Sequence, residues 1–349
     1  MSSLPTRTLM VAAPCDEGTP SREHVRVDEG TVSSELPPGA VRLRALYLSA
    51  DPYMRSQLRS NSPRKIAPGE ALRGFLVARV EASTLETWAV GDVLGASLPL
   101  STLQVVTGAA LARTATWRLT GLVEDARLSL GVGALGMPGA TAVGGLFDVL
   151  RPQAGETLLI TAASGAVGLL VGQLARAHGV RVIGTAGGAA KCALLKEKFG
   201  FHEAIDYKAA AAVGAGELEA RIRATAGPKG LDMVFENVGT TTFESAFRCL
   251  GMRGRIAVCG GIAAYNEATE PLVHISPLQM IYTAQRIEGF VCGPWLTLQR
   301  GNFLETMRAA IADGSVVVEE TFYEGIDAWI DAFRSLFDGS HVGKVVVRV

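Results

Sequence analysis

The segment Thr157-Leu158-Leu159-Ile160-Thr161-Ala162-Ala163-Ser164-Gly165-Ala166-Val167-Gly168 constrains this chain more than any other. An apolar run ends in a turn of small residues, and the turn opens directly into a helix-like stretch, Ala166 to His178. That is the strand–turn–helix context a dinucleotide fingerprint requires. Gly165 would admit a pyrophosphate close to the backbone, and Gly168 would let the helix pack against its strand. Ala166 and Val167 begin the helix, whose first N–H groups have no partner within it and suit phosphate charge. Ala163 stands where the first glycine of G-x-G-x-x-G usually sits, so the pattern alone also fits an ordinary βα turn.

The neighbouring segment narrows the choice. A second apolar run, Arg181-Val182-Ile183-Gly184-Thr185-Ala186-Gly187, reads as the next parallel strand. A cofactor with a free ribose 2′-hydroxyl usually meets an Asp or Glu at the end of that strand. Here no acidic residue occurs between Glu156 and Glu197, and the strand runs into Gly187-Gly188-Ala189-Ala190-Lys191. A 2′-phosphate suits a lysine and exposed N–H groups and would be repelled by a carboxylate. Lys191 is either that cation or a solvated helix lysine. Together with the missing acid it favours NADP (NADPH) over NAD.

Composition excludes several classes. Hydrophobic residues make up 48% of the 349 and charged residues 19%, the balance of a globular enzyme with one large or two smaller domains. A net charge of −1 and the lack of a Lys/Arg tract argue against nucleic acid as a partner. Met1 to Met10 has no basic-then-apolar leader, and no 18-residue apolar run is free of glycine or charge, so a cytoplasmic protein with no membrane partner is expected. The five cysteines (Cys15, Cys192, Cys249, Cys259, Cys292) form no C-x-x-C pair, and no histidine falls at ligand spacing from one. No metal is expected.

The pattern along the chain predicts two domains of an α/β protein. Val41–Leu48 and Leu76–Glu81 alternate with period two, and Pro37-Pro38-Gly39, Pro68-Gly69 and Gly91-Asp92 punctuate the strands. Residues 1–127 read as a β-rich barrel or sandwich. From about Leu128, strands alternate with helices: after the two runs above come Ala204–Tyr207, Leu231–Phe235, Gly254–Cys259 and Arg286–Val291. Six strands in this alternation describe a doubly wound parallel sheet over 128–314. Strands at Val316–Glu320 and Lys344–Val349, flanking a helix near Ile326–Phe337, are expected to return 315–349 to the first domain. An exposed edge at Ile287–Val291 would favour pairing with a second copy, hence a homodimer.

Five motifs carry a resemblance: Asp51-Pro52-Tyr53-Met54-Arg55, Gly136-Met137-Pro138-Gly139-Ala140-Thr141-Ala142, the Ala162–Gly168 turn, Phe235-Glu236-Asn237-Val238-Gly239, and Gly254-Arg255-Ile256-Ala257-Val258-Cys259-Gly260. With them the chain resembles the zinc-independent branch of the medium-chain dehydrogenases/reductases, in particular the prostaglandin reductase (leukotriene 12-hydroxydehydrogenase) and alkenal double-bond reductase family. The resemblance implies a GroES-like barrel domain with an inserted Rossmann domain, a homodimer, and NADPH-dependent reduction of enals and enones. It implies that Gly165–Gly168 hold the pyrophosphate, and that Gly187, Lys191 and Tyr207 meet the 2′-phosphoadenosine. It also implies that Asn237, Cys259, Gly260, Gly261, Ile262, Tyr265, Phe290, Val291, Cys292 and His341 line the rest of the cofactor groove. Three positions depart from the family: Val143 replaces a frequent tyrosine, His341 replaces the asparagine before the final Gly-Lys, and the 264–270 loop is more acidic.

By the same resemblance, Leu72-Arg73-Gly74-Phe75 stands where the zinc enzymes carry a metal-binding histidine. A conjugated enone suits a site without such a metal. Hydride added at the β-carbon leaves charge on the carbonyl oxygen, which needs only hydrogen-bond donors, and the α-carbon needs a proton. Tyr265 is the first candidate donor and Tyr53 the second, with solvent as an alternative proton source. Met54, Met137 and Trp295 are expected to shape an apolar substrate pocket. Arg55 beside them either steers an acidic substrate or forms a structural ion pair. Quinone reduction, or NADPH binding without catalysis, would use the same nucleotide site.

Overall fold

The structure, a computed structural model, describes residues 2–349. The chain divides into two compact units, one running to Met137 and resuming over Glu320–Val349, the other Pro138–Glu319. In the first, strand β1 (Ser3–Val11) pairs antiparallel with β2 (Val25–Ser33). The main sheet is built from β3 (Ala40–Ser49), β4 (Arg73–Ser83), β5 (Val93–Pro99), β6 (Leu103–Thr107) and β7 (Thr116–Arg118). The predicted alternation is visible in β3, where Val41, Leu43 and Ala45 are buried and Arg44 is exposed, until a register shift after Ala45 moves the buried position to Leu48.

The second unit holds β8 (Thr157–Ile160), β9 (Arg181–Ala186), β10 (Glu203–Asp206), β11 (Leu231–Glu236), β12 (Leu250–Val258) and β13 (Arg286–Gly289). All six predicted strands are present, every pairing is parallel, and the order is β10-β9-β8-β11-β12-β13. Strands with near-continuous apolar runs, such as Leu158-Leu159-Ile160, are what a sheet covered on both faces needs. The direction of winding reverses between β8 and β11, which opens a crevice beyond the carboxyl ends of those strands. In-register pairs there set Glu236 against Val258 and Val258 against Gly289, so residues just after these strands lie along one edge.

The chain then returns to the first unit with β14 (Glu320–Glu324) and β15 (Lys344–Arg348), giving the order β14-β15-β3-β4-β5-β7 with β6 on β3. Between them the helix Trp329–Asp338 buries Trp329, Ile330 and Phe333, with Trp329 stacked on Phe333 at 4.9 Å. Two expectations are corrected. The first unit runs on to Met137 instead of ending at 127. The segment Asp125–Val132 buries Leu128, Leu130 and Val132, and the Ser129 hydroxyl donates to Glu320 at 2.8 Å. The strand expected at Val316–Glu320 begins only at Glu320. Val317 instead exchanges two hydrogen bonds with the Gln173 side chain (2.8 and 3.0 Å), which satisfies the backbone without a sheet partner.

Candidate cofactor and active site

The phosphate turn is built from backbone. Ala162 takes a left-handed conformation (φ 48°), the Ala163 N–H donates to Thr185 O at 2.9 Å, and the Gly165 N–H returns to Ala162 O at 3.0 Å. A Cβ on Gly168 would lie 2.7 Å from Ala162 O and 2.8 Å from Ala163 Cα, so only glycine fits where the helix meets the turn. The helix Ala166–Ala177 comes next, with Gly165 at its N-cap, no side-chain cap and no acid in its first turn. Its leading N–H groups therefore suit an anion, and the turn fits the pyrophosphate of a dinucleotide.

At the neighbouring strand end, Gly187 and Gly188 precede the helix Ala189–Glu197, which carries Lys191. A Cβ on Gly187 would sit 3.0 Å from the Tyr207 hydroxyl and 3.0 Å from Lys208 Cε. The fold thus brings Gly187, Tyr207 and Lys208 together. One carboxylate is also present here: Asp206 Oδ1 accepts from the N–H groups of Gly188 (2.9 Å), Lys208 (3.0 Å) and Ala209 (3.2 Å). Against the opposing effect of burial, these donors hold the Asp206 carboxyl below its usual range. Neither Asp206 nor Lys208 was a sequence candidate, because both lie one βα turn beyond the fingerprint.

The ends of β11 and β12 form the third part. Asn237 donates through its main-chain N–H to Thr161 Oγ1 (2.8 Å) and through Nδ2 to Thr161 O (2.7 Å), which anchors it across from β8. Glu236 is fully buried, and its Oε1 accepts from Val238 and Gly239 N–H at 2.6 Å each. Burial pushes its carboxyl up to about 7, against the pull of those two amides and of the nearby Thr161 hydroxyl. Sequence reasoning passed over Glu236; an acid inside an apolar strand run was the available signal. Cys259 N–H and Gly260 N–H both donate to Glu236 O, and the Ile262 N–H donates to Asn237 O. Burial pushes the Cys259 thiol up to about 12, which makes it a packing group rather than a nucleophile.

Tyr265 is half-buried after the short helical turn Ile262–Ala264, and a Cβ on Gly260 would lie 3.6 Å from its hydroxyl. The structure therefore brings Asn237, Gly260 and Tyr265 together. The Phe290 ring packs edge-on between Phe235 (6.0 Å) and Trp295 (5.9 Å), while Val291 is exposed. Trp295, expected in a substrate pocket, is instead 3% exposed, and its indole N–H donates to Asp148. That hydrogen bond and the close approach of its ring to Gly144 make it a packing residue of the second unit.

The remaining candidates belong to the first unit. Tyr53 follows Asp51-Pro52 on a short helical turn, half-buried, with its ring edge-on to Phe75 at 6.3 Å. Met54 and Arg55, expected to line a pocket, are corrected to core residues. Met54 is 0% exposed within the apolar cluster, and Arg55 is 1% exposed with its guanidinium donating to the carbonyls of Cys15 and Gly18. Met137 opens the helix Met137–Val143 and is half-buried. His341 Nδ1 donates to the Ser335 carbonyl at 2.7 Å. Beside it in sequence, Lys344 is 3% exposed, donates to Ala50 O at 2.8 Å and pairs with Asp51 at 3.1 Å. Burial pulls the Lys344 ammonium below the usual lysine range, opposed by Asp51 and Glu320. Among the described residues no three His, Cys, Asp or Glu side chains gather as metal ligands, and no single helix is long and apolar enough to cross a membrane.

Comparison with known proteins matches this architecture. Residues 9–114 match a family described as the N-terminal domain of oxidoreductase, and residues 166–310 one described as zinc-binding dehydrogenase. Rat prostaglandin reductase 1 is 36% identical, with 90% of this chain and 92% of the relative covered. Tobacco 2-alkenal reductase (NADP(+)-dependent) is 36% identical over 95% of this chain and 94% of its own. The crystal structure of CurA in complex with NADPH from Vibrio vulnificus superposes with a TM-score of 0.84 at 31% identity, covering 98% of this chain and 99% of that one. A barrel unit interrupted by a six-stranded dinucleotide domain defines a medium-chain dehydrogenase/reductase. Within that class the chain belongs to the family of NADP-dependent double-bond reductases that includes prostaglandin reductase 1 and 2-alkenal reductase.

Proposed function

We propose that this chain reduces the carbon–carbon double bond of α,β-unsaturated aldehydes and ketones with NADPH. The observation that carries the reading is identity of 36% over 95% of the chain to a tobacco enzyme named for NADP(+)-dependent 2-alkenal reduction. The acid-free turn Gly165–Gly168 would hold the pyrophosphate. Gly187, Lys191 and Tyr207 would hold the phosphorylated adenosine. Asn237, the Cys259–Ile262 main chain and Phe290–Cys292 would line the groove toward the nicotinamide, with His341 as a further contact. When bound, reduced nicotinamide supplies a hydride.

The protein's own tasks are then to orient the alkene, to donate hydrogen bonds to the carbonyl oxygen as enolate charge collects there, and to place a proton at the α-carbon. Tyr265 is the first group for this role: a phenol keeps its proton at neutral pH, and its hydroxyl lies beside Gly260 at the strand ends. Tyr53 is the second. Incubation with 4-hydroxynonenal or an alkyl enone consumes NADPH and yields the saturated carbonyl. Allylic alcohol as the only product, or turnover confined to quinones, would contradict the assignment.

We infer further that the chain forms a homodimer through the β13 edge. That strand ends the sheet, and Leu278, Ile281 and Tyr282 on the helix before it and Val291 just after it are all more than 60% exposed. An open edge beside apolar side chains favours pairing with a second copy. Light scattering at the mass of a dimer supports this, and a monomer at micromolar concentration contradicts it.

A further inference from the structure

The adenosine corner contains a cation that the fingerprint does not account for. Lys208 stands in the first turn of the helix Tyr207–Val213 that follows β10, yet its side chain reaches the end of β9, with Cε 3.0 Å from where a Cβ on Gly187 would be. Its backbone is fixed there, because one oxygen of Asp206 accepts from the N–H groups of Gly188, Lys208 and Ala209. Those three hydrogen bonds have a second consequence. The one acid at this corner ties two turns together through Oδ1, which fixes the carboxylate in place. Among the described residues the Lys208 ammonium has no ion-pair partner. A lysine held at a glycine-lined strand end and left without a protein anion has the chemistry of a phosphate contact.

We propose that Lys208 is a second determinant of NADPH-over-NADH selectivity, acting with Lys191 as a two-cation clamp on the ribose 2′-phosphate. This rests on the NADPH-dependent function proposed for the chain. Gly187 is part of the device, since a Cβ there would crowd both Lys208 Cε and the Tyr207 hydroxyl at 3.0 Å. Asp206 stays ionised on its three amide donors, and the two lysines would supply the positive charge that offsets it beside a phosphate.

The test is titration of the full-length protein with NADPH, NADH and 2′,5′-ADP, for wild type, Lys208→Gln, Lys208→Arg and Lys191→Gln. Lys208→Gln is expected to weaken NADPH and 2′,5′-ADP roughly tenfold, as loss of one exposed charge-assisted contact would, with NADH changed by less than about twofold. Lys208→Arg should recover most of the loss, and the Lys208→Gln effect should shrink as salt rises. Equal weakening of NADPH and NADH, or no change in either while Lys191→Gln alone loses NADPH, would overturn the role of Lys208. Wild-type protein that binds NADH as tightly as NADPH would remove the phosphate reading itself, and the proposal with it.

Discussion

The two units of this chain organise their candidate residues by opposite means. In the nucleotide unit the site is mostly backbone at strand ends: the left-handed Ala162, the close-packed Gly168, the Cys259 and Gly260 N–H groups on Glu236 O. Side chains there are few, and those such as Asn237 are anchored on the main chain of a neighbouring strand end. In the barrel unit the Asp51–Tyr53 segment is held by a buried charge from the far end of the chain, Lys344, whose ammonium meets both Ala50 O and Asp51. The strand ends of the nucleotide unit are thus shaped by short turns, whereas in the first unit a buried ionic contact joins the start of β15 to the segment just after β3. A buried ion pair is sensitive to loss of one partner, and a backbone turn is sensitive to added volume.

That contrast orders the expected effects. The largest is Lys344→Met, which leaves Asp51 buried without its cation and should destabilise the protein by about 3–5 kcal/mol in urea unfolding. Adding Asp51→Leu should recover part of the loss. If the single variant is as stable as wild type, this pair does not hold the Asp51 segment in place.

Next comes Glu236→Gln. The native carboxyl titrates near 7 against an ordinary 4.5, so between these values the folded chain keeps a proton that the unfolded chain has lost. This contribution is present below about pH 4.5 and lost as pH rises through about 7, on the order of 3 kcal/mol in all. The glutamine variant should flatten the fall in stability between pH 5 and 8. Parallel curves would show that Glu236 ionises normally.

Much of the nucleotide unit was legible because its signals are local. The six strands, the helix after Gly165 and the Gly187 strand end follow from periodicity and small-residue turns spanning a few residues each. The features that escaped depend on partners remote in the chain. Met54, Arg55 and Trp295 have the composition of a pocket, but the fold buries them, Arg55 on two carbonyls and Trp295 on Asp148. Val316 and Val317 have strand propensity, yet Gln173 takes the hydrogen bonds a strand would have used. Lys208 escaped because the relevant neighbour, Gly187, belongs to the previous strand. The barrel's extension to Met137 was hidden in the same way, by the contact of Ser129 with Glu320.

Two smaller effects sharpen the comparison from the nucleotide side. Gly168→Ala puts a methyl group 2.7 Å from Ala162 O and should cost about 1–3 kcal/mol of stability, with NADPH binding weakened as the turn shifts. Unfolding and fluorescence titration on one preparation check both; an unperturbed variant would mean the turn relaxes freely. Smallest is Tyr265→Phe, expected to lower kcat about tenfold with little change in KM for NADPH, since it removes one donor and leaves the fold intact. A change in kcat of less than about twofold would assign the proton to Tyr53 or to solvent.

Transfer of label from NADPH deuterated at the reactive nicotinamide carbon tests the central claim most directly. With a 2-alkenal as substrate, deuterium is expected at the β-carbon of a saturated aldehyde. Deuterium on the former carbonyl carbon, in an allylic alcohol, would contradict it.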